Sequence, residues 1–296
     1  MQYLGPIYQT HIELMPGLPL CVYAVRGPWG AALIDTGISA MKDQILGLGQ
    51  QLGGVRYTLI THAHVDHIGC NQAVREAFQP VFLAGGALPW IEDMEAHYRA
   101  FCLPELLPDS PQQRAEILGL VDGAVSVNLV IGEGAQIRLG DGIELHTLAL
   151  PGHKREEIGF LETSTQSLIV GDLLLALVAP FFHGFQTAVG FHTSLNRVQE
   201  LLETGRAQRV LAAHHLPLQP DEALKVIGST RQFLLDLEEA TLEAANTVSF
   251  DQLWRAVCQR MNKQLEFRGY AMLRDQVAEL VQAGRLAQID GRITRS

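Results

Sequence analysis

Along the chain, short apolar runs alternate with stretches whose apolar residues recur at helical spacing. Residues 20–25 (LCVYAV) and 31–35 (AALID) read as two strands around a turn at Gly27-Pro28. The spacing over 41–52 predicts a helix, 57–60 a buried strand, 71–78 a helix and 81–84 another strand. Such alternation predicts a layered α/β body. Further strands are expected over 125–130, 136–139, 143–150, 158–162, 167–170 and 209–213, with a helix over 194–203. The span 88–121 breaks the alternation. It carries Trp90, Met94, His97 and Tyr98 among Pro89, Pro104, Pro108 and Pro111, and predicts two inserted helices. These would form either a lid over a site or a structural hairpin.

From residue 221 the pattern turns helical. A long helix is expected over 221–245, with Phe233, Leu234 and Leu237 on one face, then a break at 246–249. Helices over 250–264 and 270–283 follow, and a hairpin, RLAQIDGRIT, turns at Asp290-Gly291. The expected division is a body over 1–220 and a helical region over 221–296 whose tail resembles a winged helix.

Composition narrows the classes. The 296 residues suit one large domain or a large and a small one. A net charge of -10 disfavours general affinity for phosphate backbones. From residue 246 onward the balance reverses mildly, with eight Lys or Arg against five Asp or Glu. Cys21, Cys70, Cys102 and Cys258 form no C-x-x-C pair, which points to reduced thiols and a cytoplasmic location. Residues 1–17 lack the basic and apolar regions of a signal peptide. The most apolar stretch, 168–185, contains Asp172 and His183 and is too short and polar for a membrane span.

The chemistry concentrates in Thr61-His62-Ala63-His64-Val65-Asp66-His67-Ile68-Gly69, directly after a buried strand. Imidazoles and carboxylates crowded at a strand end suit zinc and similar metals, and are expensive to desolvate without one. Three more candidates follow apolar strands: His153 in Pro151-Gly152-His153, Asp172 in Gly171-Asp172, and His214 or its neighbour His215.

The order Asp35-Thr36-Gly37, then the histidine motif, Pro-Gly-His, Gly-Asp and a late histidine resembles the metallo-β-lactamase superfamily over roughly 18–216. The resemblance implies an αββα four-layer sandwich holding two divalent metal ions, zinc first, with iron or manganese as alternatives. By that resemblance His62, His64 and His153 would hold one metal, and Asp66, His67 and His214 the other. Asp172 would bridge them, and Asp35 would orient the ligand loop from behind. His215 competes with His214 for the last place, because it stands where relatives carry a glycine. The implied activity is hydrolysis by a hydroxide that bridges the metals, with Asp66 also handling protons.

Phe181, His183 and His192, after Asp172, and Tyr98, in the insertion, are candidate substrate contacts; an ordinary structural role competes for each. No serine lies in a G-x-S-x-G context. The favoured substrate is a small ester-like compound: a thioester, a lactone or a related acyl compound. No basic cluster suited to glutathione's carboxylates is evident. Alternatives are a nuclease or phosphodiesterase that uses the tail's basic residues, and a catalytically weak signalling or binding protein. Nucleic acid and membrane are not expected as partners, and a homodimer is left open.

Overall fold

A computed structural model describes residues 2–101 and 110–296. The apolar runs become two mixed sheets. In the first, β1 (Gln2–Leu4), β2 (Ile7–Met15), β3 (Leu18–Gly27), β4 (Gly30–Ile34), β5 (Val55–Ile60), β6 (Val81–Ala84) and β7 (Leu129–Val130) lie side by side in chain order. Pairing is antiparallel as far as β4 and parallel from β4 to β7. In the second, β8 (Gln136–Gly140), β9 (Ile143–Ala149), β10 (Ile158–Glu162) and β11 (Ser167–Ile169) run antiparallel, and β12 (Arg209–Leu211) joins β11 in parallel. Parallel neighbours need a crossover. Helices α1 (Lys42–Gln51) and α3 (Asn71–Phe78) supply it in the first sheet, and α7 (Ala188–Glu203) in the second. The single turn α2 (Val65–Ile68) sits between β5 and α3.

Strand β3 shows why its sequence reads as an unbroken apolar run. Leu20, Val22 and Ala24 face α1 and α3, while Cys21, Tyr23 and Val25 face the second sheet. Both faces are covered, so no polar alternation is required. A middle core of Tyr23, Ile34, Leu59, Phe160 and Ile169 fills the space between sheets. The outer face of the second sheet is covered by α7 and α8 (Pro220–Ala244). The result is the expected αββα sandwich.

The tail continues as β13 (Val248–Ser249), α9 (Phe250–Arg260), α10 (Phe267–Gln282), β14 (Leu286–Ile289) and β15 (Arg292–Arg295), with sheet order β13-β15-β14. Ser249 and Gln252 close a capping box at the start of α9. Asp290 and Gly291 both take positive φ in the hairpin turn. This is the order of a winged helix. Phe182, Phe191, Leu237, Trp254, Met272 and Leu286 belong to one hydrophobic cluster, so the core is continuous across residue 220.

Several elements differ from expectation. Helix α7 begins at Ala188, six residues before the expected start, because the Thr187 hydroxyl accepts from Gly190 N and caps it. The strand expected over 125–130 pairs only at β7. The insertion holds three described helices, α4 (Leu88–Glu92), α5 (Met94–Phe101) and α6 (Pro111–Leu118), since Asp93 breaks the first run and caps the second. Residues 102–109, with Cys102, Pro104 and Pro108, lie outside the described residues. Strands β1 and β2 had no counterpart in the sequence reading. No described helix is long and apolar enough to cross a membrane.

Candidate metal centre

The loops that leave β5, β9, β11 and β12 bring their polar side chains to one place. Two groups of donor atoms form there: His62, His64, His153 and Asp172, and Asp66, His67, Asp172 and His214, the atoms of each group lying within 4.8 Å of one another. His62 Nε2 and His153 Nε2 stand 3.1 and 2.9 Å from His64 Nδ1. Asp172 reaches both groups, with Oδ2 3.4 Å from His153 Nε2 and from His214 Nε2, and Oδ1 3.2 Å from His67 Nε2. Asp66 Oδ2 lies 3.2 Å from His214 Nε2.

Four of the five rings present Nε2 because something holds Nδ1. His67 Nδ1 donates to Asp35 Oδ2 at 2.8 Å, His153 Nδ1 to the Gly184 carbonyl at 2.5 Å, and His214 Nδ1 to the Pro19 carbonyl at 3.0 Å. The Thr61 hydroxyl donates to Asp35 Oδ2, which leaves its lone pair to accept from His62 Nδ1 at 3.2 Å. Outer contacts of this kind fix the tautomer of metal-binding histidines. Asp35 also accepts the Thr61 amide at 2.8 Å and adopts φ +60, a strained backbone for a residue with a side chain. Gly171 is needed for space: a Cβ there would lie 2.8 Å from Glu157 Oε1 and from Thr61 Oγ1.

The donor set fits metal ions. His67 Nε2 and Asp172 Oδ1 are buried and make no hydrogen bond. Buried polar atoms are rarely left so, and both have the lone pairs a borderline divalent cation takes. The electrostatics divides the cluster. Burial holds His62, His64 and His153 below the usual imidazole range, so these rings are neutral. Burial also opposes charge on His67 and His214, but the carboxylates outweigh it. Asp172 and Asp35 push His67 well up, and Asp172 and Asp66 carry His214 to about 10. Asp66 is held at about 2, because His67 and His214 overcome its burial. Protons on these two rings occupy places that cations can take.

A cavity of about 490 Å³ opens on the cluster. Helix α10 forms one wall through Phe267, Arg268, Met272 and Arg274, and the insertion forms another through Trp90 and Ile117. Phe181 and His183 line it, and His183 Nε2 is buried without a hydrogen bond. Tyr98 and His192 do not line it. Tyr98 is buried within α5 with Arg114 over its ring, and His192 is carried on α7. His215 stands outside both donor groups, beside the backbone of Leu174 and Leu175. The sequence reading missed Lys154, which is buried in the cavity wall and lowered to about 8 by burial. It also missed Glu157, which accepts the Asp172 amide at 2.8 Å. Their run, His153-Lys154-Arg155-Glu156-Glu157, looks like a solvated turn; only its nearness to the motif marked it.

A model of the metallo-beta-lactamase superfamily matches residues 21–214. Hydroxyacylglutathione hydrolase GloC of Haemophilus influenzae is 28% identical over 147 residues, which is 49% of this chain and 61% of that protein. The chain thus spans less than two thirds of that relative. The probable metallo-hydrolase YqjP of Bacillus subtilis is 25% identical over 228 residues, 69% of each protein. Among solved structures, a metallo-beta-lactamase family protein from Thermus thermophilus has a TM-score of 0.73 at 20% identity over 99% of both chains, a likeness of fold.

Proposed function

Because the chain belongs to the metallo-β-lactamase superfamily, we propose that it is a hydrolase of small ester-like acyl compounds, such as thioesters or lactones, with a dinuclear zinc centre. The observation that carries this reading is Asp172, whose carboxylate stands between two groups of largely buried donors while Oδ1 makes no hydrogen bond. In this reading His62, His64 and His153 hold one metal, Asp66, His67 and His214 the second, and Asp172 both. When bound, such a pair supplies Lewis acidity and brings a water's pKa toward neutrality.

The chain's own residues do the rest. Asp35 keeps the proton of His67 on Nδ1, leaving Nε2 free to bind. Asp66, its side chain 23% exposed where that of Asp172 is 6% exposed, is the more accessible of the two cluster carboxylates that line the cavity. It is ionised at neutral pH and can take a proton from water and return it to the leaving group. His183 offers a neutral imidazole, lowered to about 3 by burial and then by His214, for a hydrogen bond to the substrate. Phe181, Phe182 and Phe185 give the acyl chain an apolar wall. The described thiols are unsuited as nucleophiles: burial pushes Cys70 to about 12 and Cys258 to about 11, and raises Cys21.

The resemblance to a protein named as a hydroxyacylglutathione hydrolase supports an acyl substrate. The tail does not favour nucleic acid. Arg260, Arg285 and Arg268 pair with Glu243, Glu238 and Glu266, Lys263 donates to the Ala179 carbonyl, and α10 faces the cavity. Metal analysis and a panel of thioesters, lactones, phosphodiesters and a short RNA test the reading. Turnover of a thioester or lactone that falls at least about a hundredfold in His64→Ala is expected, a loss of about 2.7 kcal/mol of transition-state stabilisation. Phosphodiester cleavage, or bound metal with no turnover, would replace it.

A further inference from the structure

Lys154 is 2% exposed and lines the cavity that opens on the metal-ligand cluster. A buried ammonium has three donors to satisfy. One face lies against the Trp90 ring, 3.5 Å from its centroid. The closest carboxylate oxygen, Glu156 Oε1, is 3.9 Å away, beyond hydrogen-bonding range, and itself makes no hydrogen bond. Among the described residues nothing accepts a hydrogen bond from Lys154 Nζ. Burial without acceptors is costly unless a partner arrives. The place of that partner follows from the neighbours. Trp90, which holds the ammonium, also stacks on His64 at 6.3 Å, and Lys154 directly follows His153. A ligand lying across the donor cluster therefore has the ammonium beside one end.

We propose that Lys154 is an anion-recognition residue, and that the acyl substrates of this site carry a carboxylate remote from the scissile bond. The substrate class rests on the hydrolytic reading above; the anion subsite does not. The charge balance selects a monoanion. Lys154 is flanked by Glu156, and Asp275 lines the same cavity, so a doubly charged phosphate would meet two carboxylates with one buried ammonium to offset them. Arg274, half exposed and 3.9 Å from Asp275, and Arg268, paired with Glu266, are the other cations that line the cavity. The competing explanation is that Lys154 only braces Trp90, in which case no carboxylate is recognised.

Calorimetric titration of the metal-loaded protein with succinate, glutarate and adipate, each against its monomethyl ester, separates the two. One carboxylate of the diacid stands for the acyl group, and the other is the probe. At least one diacid should bind about tenfold or more tightly than its monoester. In Lys154→Met that ratio should fall to near one, and in Lys154→Arg it should be largely retained. Equal binding of every diacid and its monoester by the native protein would overturn the subsite, whatever the variants do. An unchanged ratio in a Lys154→Met protein of native metal content and melting temperature would do the same. Discrimination by the native protein without turnover of any succinyl, glutaryl, adipyl or butyryl thioester, or of any lactone in the panel, would leave the subsite standing and remove the hydrolytic reading.

Discussion

Replacing Asp35 with asparagine would keep its shape and the left-handed backbone that asparagine tolerates. It would also place an amide donor against His67 Nδ1, which now donates to Asp35 Oδ2. The ring would have to turn over its tautomer and carry a proton on Nε2, the atom that faces Asp172. Asp35→Asn should therefore leave the melting temperature nearly native while lowering metal affinity about 10–100-fold, as read by competition with a chelator. Native affinity in the variant would remove Asp35 from that role. A second consequence follows from charge. His214 sits at about 10 and His67 well above the usual imidazole range, so near neutral pH both rings are protonated in the metal-free protein. Metal needs them neutral. Binding should release at least one proton and strengthen as pH rises toward 10, which calorimetry in buffers of different ionisation enthalpy would show; heats that do not vary with buffer would contradict it. The cluster was legible because four donors stand within six residues at a strand end, and the others follow apolar strands. Lys154 and Glu157 were not, since their burial depends on Trp90 and Asp172, far away in sequence.

At the scale of elements, the regular strands and the long helices were legible wherever one period ran unbroken, as at Ile158–Glu162 and Asn71–Phe78. Reading failed where a cap overrode composition. Gly190-Phe191-His192 looks like loop, yet a threonine cap starts α7 ahead of it and carries His192 onto a helix. The purpose of the tail was also hidden, because a winged-helix pattern does not say which way its second helix faces. Here α10 turns inward as a cavity wall, and α9 supports it through Trp254, whose ring meets Tyr270 at 5.4 Å. Trp254→Ala should cost about 3–5 kcal/mol, seen as a lower denaturant midpoint, and should raise KM by loosening that wall. Loss of stability with KM unchanged would show that α10 does not shape the cavity.

For the molecule as a whole, the sequence suggested a body over 1–220 and a tail over 221–296, because from residue 221 the pattern turns helical. Packing gives a different picture. The hydrophobic cluster that begins at Leu148 on β9 runs through Phe182 and Phe191, across Leu237 on α8, and on to Trp254, Leu273 and Ile293. Its largest side chains come from both sides of the expected boundary, so neither part can expose its share of that surface at small cost. The tail is also fastened at the edge of the site, where Gln264 N donates to the Pro180 carbonyl at 2.9 Å and Lys263 Nζ to the Ala179 carbonyl at 2.6 Å. Both carbonyls lie in the loop that leads from Asp172 to His183. Parts that share a core unfold together, whereas domains joined by a linker melt independently. Heating the full chain in a calorimeter should therefore give one transition, with calorimetric and van't Hoff enthalpies in agreement, and loss of metal and loss of helix should coincide. Two resolved transitions, the tail melting first while the metal stays bound, would mean that the shared cluster contributes little and that the cavity wall formed by α10 is detachable.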